Sequence, residues 1–170
     1  AYEDKIIDRN ILSGWTYKKP VIDERADPID PFTQEEQRAI LKAVDGQKRN
    51  LLQFAFWTGL RTSELVGLRW DDVDMVAGKI EVKRARTQAA TKAETTKTYS
   101  GRRMIELLPP AMEALKAQKA HTFMIGREVF HNPRTDEPWR GDAPIRKRLW
   151  IPALKKAGVR YRNPYQTRHT

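Results

Sequence analysis

The 170-residue chain contains no cysteine, which excludes disulfides and thiolate metal sites. It has no apolar run long enough to span a bilayer, because Gln, Arg or Lys interrupts every long stretch. Its first residues lack the charged, apolar and small-residue order of a secretory signal. A soluble, intracellular protein is therefore expected. Acidic residues are also scarce: 22 Asp plus Glu stand against 32 Lys plus Arg, a net charge of +10. The excess is localised. Residues 83–103 carry seven basic groups and one acid, Glu94, and residues 140–170 carry nine and one, Asp142. These blocks are net +6 and +8, which leaves −4 for the remainder. Two basic blocks on a near-neutral body favour a polyanion site over a merely solvated surface.

The length suits one domain with a real core. Residues 1–30 read as a linker or the tail of an upstream unit, punctuated by Lys18-Lys19-Pro20, Asp27-Pro28 and Asp30-Pro31. Residues 31–170 read as the main domain. Thr33-Gln34-Glu35-Glu36 has the capping-box form and opens a helix to about Val44. Residues 48–57 are apolar nearly all round, which predicts a buried helix broken by Thr58-Gly59-Leu60. A short helix over Thr62–Gly67 follows. Ile80 and Val82 alternate with polar residues, as do Arg103, Ile105 and Leu107, which predicts two strands of a small sheet. Pro109-Pro110 starts a helix to about Lys119, and Val129-Phe130 reads as a short strand. Asp142–Ala157 reads as a helix that Pro152 bends or divides. Asn163-Pro164 is a cap followed by an N1 proline, so Tyr165 to Thr170 should begin another helix. The fold class is thus mainly α with a small antiparallel β-sheet.

Three strings carry chemistry. In Thr58-Gly59-Leu60-Arg61-Thr62-Ser63-Glu64-Leu65, an arginine follows a glycine turn at a helix start, where amide donors and the helix dipole suit a phosphate. In Thr96-Lys97-Thr98-Tyr99-Ser100-Gly101-Arg102-Arg103-Met104-Ile105-Glu106-Leu107, a lysine in a hairpin connection could reach a groove and donate a proton. In Pro164-Tyr165-Gln166-Thr167-Arg168-His169-Thr170, Tyr165 and Arg168 are spaced to share a helix face. Each alone also fits a plainer role. Arg61 could pair with Glu64 on the surface, Lys97 could be solvated, and Tyr165 could pack in the core.

Together and in this order, the strings resemble the tyrosine recombinase (phage integrase) family. Residues 58–65 match its T-G-x-R-x-x-E-L box. Lys97 with Arg103–Leu107 matches its hairpin lysine before an R-x-I-x-L strand. Residues 165–170 read Y-x-x-R-H-T against its H-x-x-R-H-T box. The resemblance implies the family's catalytic-domain fold and a transesterification without metal or cofactor. A tyrosine attacks a DNA phosphodiester and leaves a 3′-phosphotyrosyl link and a free 5′-hydroxyl. It implies that Arg61 and Arg168 clamp the non-bridging oxygens, that Lys97 protonates the leaving 5′-oxygen, and that Glu64 orients the site, with His169 supporting. Guanidinium suits the clamp because it stays charged and offers a bidentate fork. Arg102, Arg103, Arg160 and Arg162 are candidate DNA contacts. The implied partner is double-stranded attachment-site DNA, bound as a tetramer by the full-length protein, with these residues alone monomeric. The implied setting is the cytoplasm and nucleoid of a bacterial host.

The match departs from the family at two points. Tyr165 stands where histidine is usual. A phenol can hydrogen-bond a phosphate oxygen but is a poorer base at neutral pH. None of Tyr2, Tyr17, Tyr99, Tyr161 or Tyr165 matches the nucleophile, which the family carries well after the second box. The chain is therefore expected to stop short of the nucleophile and to be inactive alone. The competing readings are a type IB topoisomerase-like strand transferase, a DNA-binding module without catalysis, and a basic RNA-binding protein.

Overall fold

A computed structural model describes residues 28–86, 94–95 and 102–170. Helix α1 (Gln34–Lys42) begins at the expected capping box. The Thr33 hydroxyl accepts from the Glu36 N–H and the Glu36 carboxylate accepts from the Thr33 N–H. Helix α2 (Gly46–Thr58) buries Leu51, Leu52, Phe54, Ala55 and Phe56, as its all-round apolarity required. It packs on α4 (Pro109–Thr122), which runs a turn further than expected. Between them lie α3 (Thr62–Gly67), a 3₁₀ turn (Trp70–Asp72) and the strands.

Strands β1 (Val73–Asp74), β2 (Lys79–Val82) and β5 (Arg103–Glu106) form an antiparallel sheet in the order β1-β2-β5. Ile80 faces Ile105 across the β2–β5 pair, and Ile80 and Val82 are buried. The alternation read from the sequence is therefore the core-facing register. Strands β3 (Arg84–Ala85) and β4 (Glu94–Thr95) form a separate antiparallel pair.

Strand β3 lies against helix α3. The Arg86 N–H donates to the Ser63 carbonyl at 2.9 Å. A Cβ on Gly67 would stand 3.1 Å from the Arg84 carbonyl oxygen and 3.3 Å from the Ala85 Cα, both backbone atoms. Gly67→Ala is expected to lower stability by about 1–3 kcal/mol, because backbone yields less readily than a side chain. Urea denaturation measures it, and an unchanged midpoint would show that the contact is not tight.

The strand expected at Val129-Phe130 forms two residues later, where β6 (His131–Asn132) pairs with β7 (Glu137–Pro138). Val129 has other partners. Its N–H donates to Leu68 O, and its carbonyl accepts from Thr122 Oγ1 and Gln118 Nε2. The N–H side makes an isolated antiparallel bridge at Arg69–Glu128, while helix side chains take the carbonyl bonds a strand neighbour would have made.

The 142–157 helix is continuous but changes pitch. Residues Asp142–Ile145 (α5) are α-helical, Arg146–Trp150 form one π turn, and Ile151–Ala157 (α6) are α-helical again. The Ile151 N–H reaches back five residues to the Arg146 carbonyl. Pro152 has no N–H to continue the regular ladder, and the preceding turn widens. Trp150 anchors this helix. It is buried edge-on to Phe32, and its Nε1 donates to Arg162 O at 2.7 Å.

The last element is the expected helix, in 3₁₀ form over Pro164–Arg168. Asn163 caps it as expected, its side chain accepting from the Tyr165 N–H. Short i to i+3 bonds, Gln166 N to Asn163 O and His169 N to Gln166 O, keep it tight. Among the described residues, no helix is long and apolar enough to cross a membrane.

Candidate active-site cleft

Two segments far apart in the chain meet at Gly59. Helix α2 ends there in the left-handed region, at φ +60°, which glycine adopts without steric cost. A Cβ at this position would also point at Arg168, whose Cγ would lie 3.7 Å away. The Arg168 guanidinium donates from Nη1 to the Gly59 carbonyl at 3.1 Å, across 109 residues of chain. Gly59 thus turns the chain into Arg61 and seats Arg168 against the same turn.

Arg61 is the N-cap of α3 and has no side-chain acceptor to offer the helix. Glu64 takes part of that task, its Oε2 accepting from the Arg61 N–H at 2.9 Å. The surface Arg61–Glu64 pair considered above is only a long contact, 3.4 Å, and the Arg61 side chain stays 53% exposed. Glu64 is committed elsewhere. It is 4% exposed, and Arg103 grips it with a bidentate fork at 2.9 and 2.8 Å. Burial alone would push the Glu64 carboxyl up. The Arg103 hydrogen bonds, then the Arg61 N–H, outweigh it and hold the carboxyl below its ordinary range. The same bonds raise Arg103. Glu64 is therefore an ionised buried strut behind Arg61.

In front of it opens a cleft of about 510 Å³ lined by Arg61, Ser63, Arg86, Arg146, Asn163 and Tyr165, with Asp142 at its wall. Tyr165 is half-exposed, and its ring meets that of His169 edge-on at 5.4 Å. Tyr165 does not pack as core. A larger hollow of about 790 Å³ lies by the N-terminus of α2, along Asp45, Lys48 and Arg134. That is the opposite end of the helix from Gly59, and no residue expected in the site lines it.

The other expected residues divide. Arg103 reaches Glu64, not the cleft. Arg102 is exposed beside it at the head of β5. Arg162 is buried, with Nε 3.0 Å from Asp30 Oδ2 and Nη1 bonded to Glu36 at 2.9 Å, and its guanidinium lies over the Phe32 ring. Arg160 is exposed but donates to Asp30 at 2.6 Å. The structure places neither among the residues lining the cleft. Lys97 lies outside the described residues. Sequence reasoning missed Arg86 and Arg146. Both sit inside the basic blocks, but only the fold shows which arginines of a block face the cleft. Among the described residues, no group of three or more His, Asp or Glu side chains is arranged to hold a metal ion.

Residues 31–170 match the phage integrase family over their whole extent. The chain belongs to that family. Its relatives include the prophage integrase IntR of Escherichia coli K12, 36% identical over 163 residues, covering 83% of this chain and 39% of the relative. Another is a XerC-like tyrosine recombinase of Caldanaerobacter subterraneus subsp. tengcongensis, 27% identical over 164 residues, with 84% and 42% covered. The chain spans half or less of the length of the curated relatives it matches. Among solved structures, it resembles the Tn1549 transposon integrase in complex with circular intermediate DNA. That likeness has a TM-score of 0.68 at 18% identity, with 95% of this chain and 56% of the other covered. The lambda integrase catalytic core gives a TM-score of 0.58 at 22% identity, with 82% and 78% covered. At these identities the likeness establishes the fold. The expected mainly α architecture with a small antiparallel sheet is that of the phage integrase catalytic domain.

Proposed function

We propose that this phage integrase chain forms the phosphate-binding half of an active site for site-specific DNA recombination, in which integrated or mobile DNA is cut and rejoined. The supporting observation is the Gly59 turn, which seats Arg168 beside the segment that presents Arg61. In this reading, the scissile phosphate lies at the edge of the cleft, one non-bridging oxygen held by Arg61, which lines it, and the other by Arg168, which is seated on Gly59 beside Arg61 and outside the cleft lining. Their charge offsets the charge growing on pentavalent phosphorus. A tyrosine oxygen bonds to phosphorus as the bond to the 5′-oxygen breaks, and Lys97 gives that oxygen its proton. Tyr165 donates a hydrogen bond to a phosphate oxygen and is not the nucleophile, and neither is Tyr161. Glu64 fixes the base of Arg61 without moving protons. The whole protein acts on double-stranded attachment sites as a tetramer in the bacterial cytoplasm, and residues 1–30 lead from an upstream DNA-gripping unit.

Arg86 and Arg146 extend the clamp to flanking phosphates. On a duplex oligonucleotide, the logarithm of the affinity should fall linearly with the logarithm of salt concentration. Replacing both residues by alanine should flatten that slope by about 1–2, at roughly 0.9 per phosphate contact. Fluorescence anisotropy over a salt series measures it. Binding indifferent to salt would exclude the cleft as a DNA surface. An unchanged slope in the double variant would remove Arg86 and Arg146 from it.

A further inference from the structure

The turn that carries Tyr165 and Arg168 is only five residues of 3₁₀ helix, a geometry with little stability of its own. Its position must come from tertiary bonds. On one side these are the Arg168 contacts to Gly59. On the other is the segment Pro28–Phe32, which is bonded twice to Gln166 of the turn and once to Thr170 just after it. Gln166 is 96% buried, and both ends of its amide are used. Its Nε2 donates to the Pro28 carbonyl and its Oε1 accepts from the Asp30 N–H, both at 3.0 Å. Thr170 Oγ1 accepts from the Phe32 N–H at 3.1 Å and donates to the Gln166 carbonyl at 3.0 Å. The segment is itself held firmly. Asp30 pairs with Arg160 and Arg162, and Phe32 is buried against Phe56 and Trp150.

We infer that Gln166 is a positioning residue, which pegs the Tyr165–Arg168 turn to the Pro28–Phe32 segment and thereby aims the Arg168 guanidinium at the DNA phosphate. The inference rests on the proposed role of Arg168 as a phosphate ligand. Gln166 touches no DNA itself and is enclosed by backbone partners. Its effect on binding must therefore run through the turn. An asparagine or aspartate here would be a methylene shorter and could not span both Pro28 O and Asp30 N at the observed lengths. Residues that enter the domain thus set the aim of Arg168 through a bond that spans 138 positions.

A double-mutant cycle on this chain tests it, with an arbitrary 30-base-pair duplex as probe and anisotropy read across a salt series. Gln166→Ala should weaken binding roughly tenfold, as expected for loss of one charged hydrogen bond. It should also lower the salt slope by about 0.9, the signature of one lost phosphate contact. Arg168→Ala should do the same, and the double variant should bind no worse than Arg168→Ala alone. A purely structural role would reduce the active fraction and leave the slope unmoved. A Gln166→Ala protein with a wild-type slope, or one whose loss adds in full to that of Arg168→Ala, overturns the inference and leaves the Arg168 reading standing. An Arg168→Ala protein with wild-type affinity and slope overturns both. If Gln166→Ala does not fold by circular dichroism, Gln166→Asn, a methylene shorter and able to keep only one of the bonds to Pro28 and Asp30, serves instead. The same coupled fall in slope is expected, and an uncoupled one overturns the inference.

Discussion

Replacing Arg61 by lysine in the full-length recombinase should slow DNA strand cleavage by about 10²–10³-fold, the usual cost of one misplaced donor at a developing anion. DNA affinity should change only a few-fold. Lysine keeps the charge, so encounter and non-specific binding survive. What it loses is the fork. Arg61 is presented rigidly, as the N-cap of α3 after the Gly59 turn, with its backbone held by the buried Glu64 carboxylate. A guanidinium fixed there can bond two phosphate oxygens at once, whereas an ammonium on a flexible stem meets them as a point charge. The loss should therefore fall on the cleavage step and not on binding. Single-turnover cleavage with saturating enzyme separates the two. Full activity in Arg61→Lys would defeat the proposed clamp, since a role by charge alone is what a basic nucleic-acid-binding surface would show.

Removing the partner of Glu64 should be the most costly single change to stability near the site. Arg103→Leu leaves a carboxylate 4% exposed with one good hydrogen bond, from the Arg61 N–H, in place of three. The expected cost is about 3 kcal/mol at neutral pH, the low end for an orphaned buried charge because Arg103 is itself partly solvated. The pH dependence carries the sharper test. In the native protein the Glu64 carboxyl is held below its ordinary value. Its contribution to stability is therefore fully present above the unfolded value, about 4.3, and is lost as pH falls through the lower folded value. In Arg103→Leu, burial is no longer outweighed, so the folded value should rise above the unfolded one. The variant should then lose stability as pH rises from about 4 to 7, and its gap to the native protein should widen across that window. Urea denaturation at three pH values in this range gives the gap. A constant gap would mean that Glu64 ionisation is not what Arg103 supports.

Much of this protein could be read locally. The α1 capping box, the apolar α2 and the alternation of β2 and β5 each depend on residues within a few positions. In the capping box the bonds that form are the ones the local pattern supplies, and in α2 and the strands the local pattern fixes which side chains face the core. A break in the regular ladder at Pro152 was legible for the same reason, and it takes the form of a single π turn in a continuous helix. Val129-Phe130 misled because β-branched and aromatic residues suit a strand. The Val129 carbonyl was claimed instead by Gln118 and Thr122 of α4, so the pairing stops at a single bridge, Arg69–Glu128. The proposed site residues were read as motifs, through residue types and order that no single string made specific.

What the sequence by itself determined was the family and most of the helix and strand plan, and it supplied the two arginines proposed as the clamp. These rest on short-range spacing and on residue chemistry, which survive without coordinates. Only the tertiary structure decided where each of the basic residues ends. Arg103 and Arg162 belong to the same charge blocks as Arg86 and Arg146. Yet the first two are spent on Glu64, Asp30 and Glu36, while the last two line the cleft. A charge block reports how many guanidinium groups lie in a stretch of chain. Where each one ends depends on carboxylates up to 132 positions away, brought near only when the core around Phe32, Phe56 and Trp150 closes.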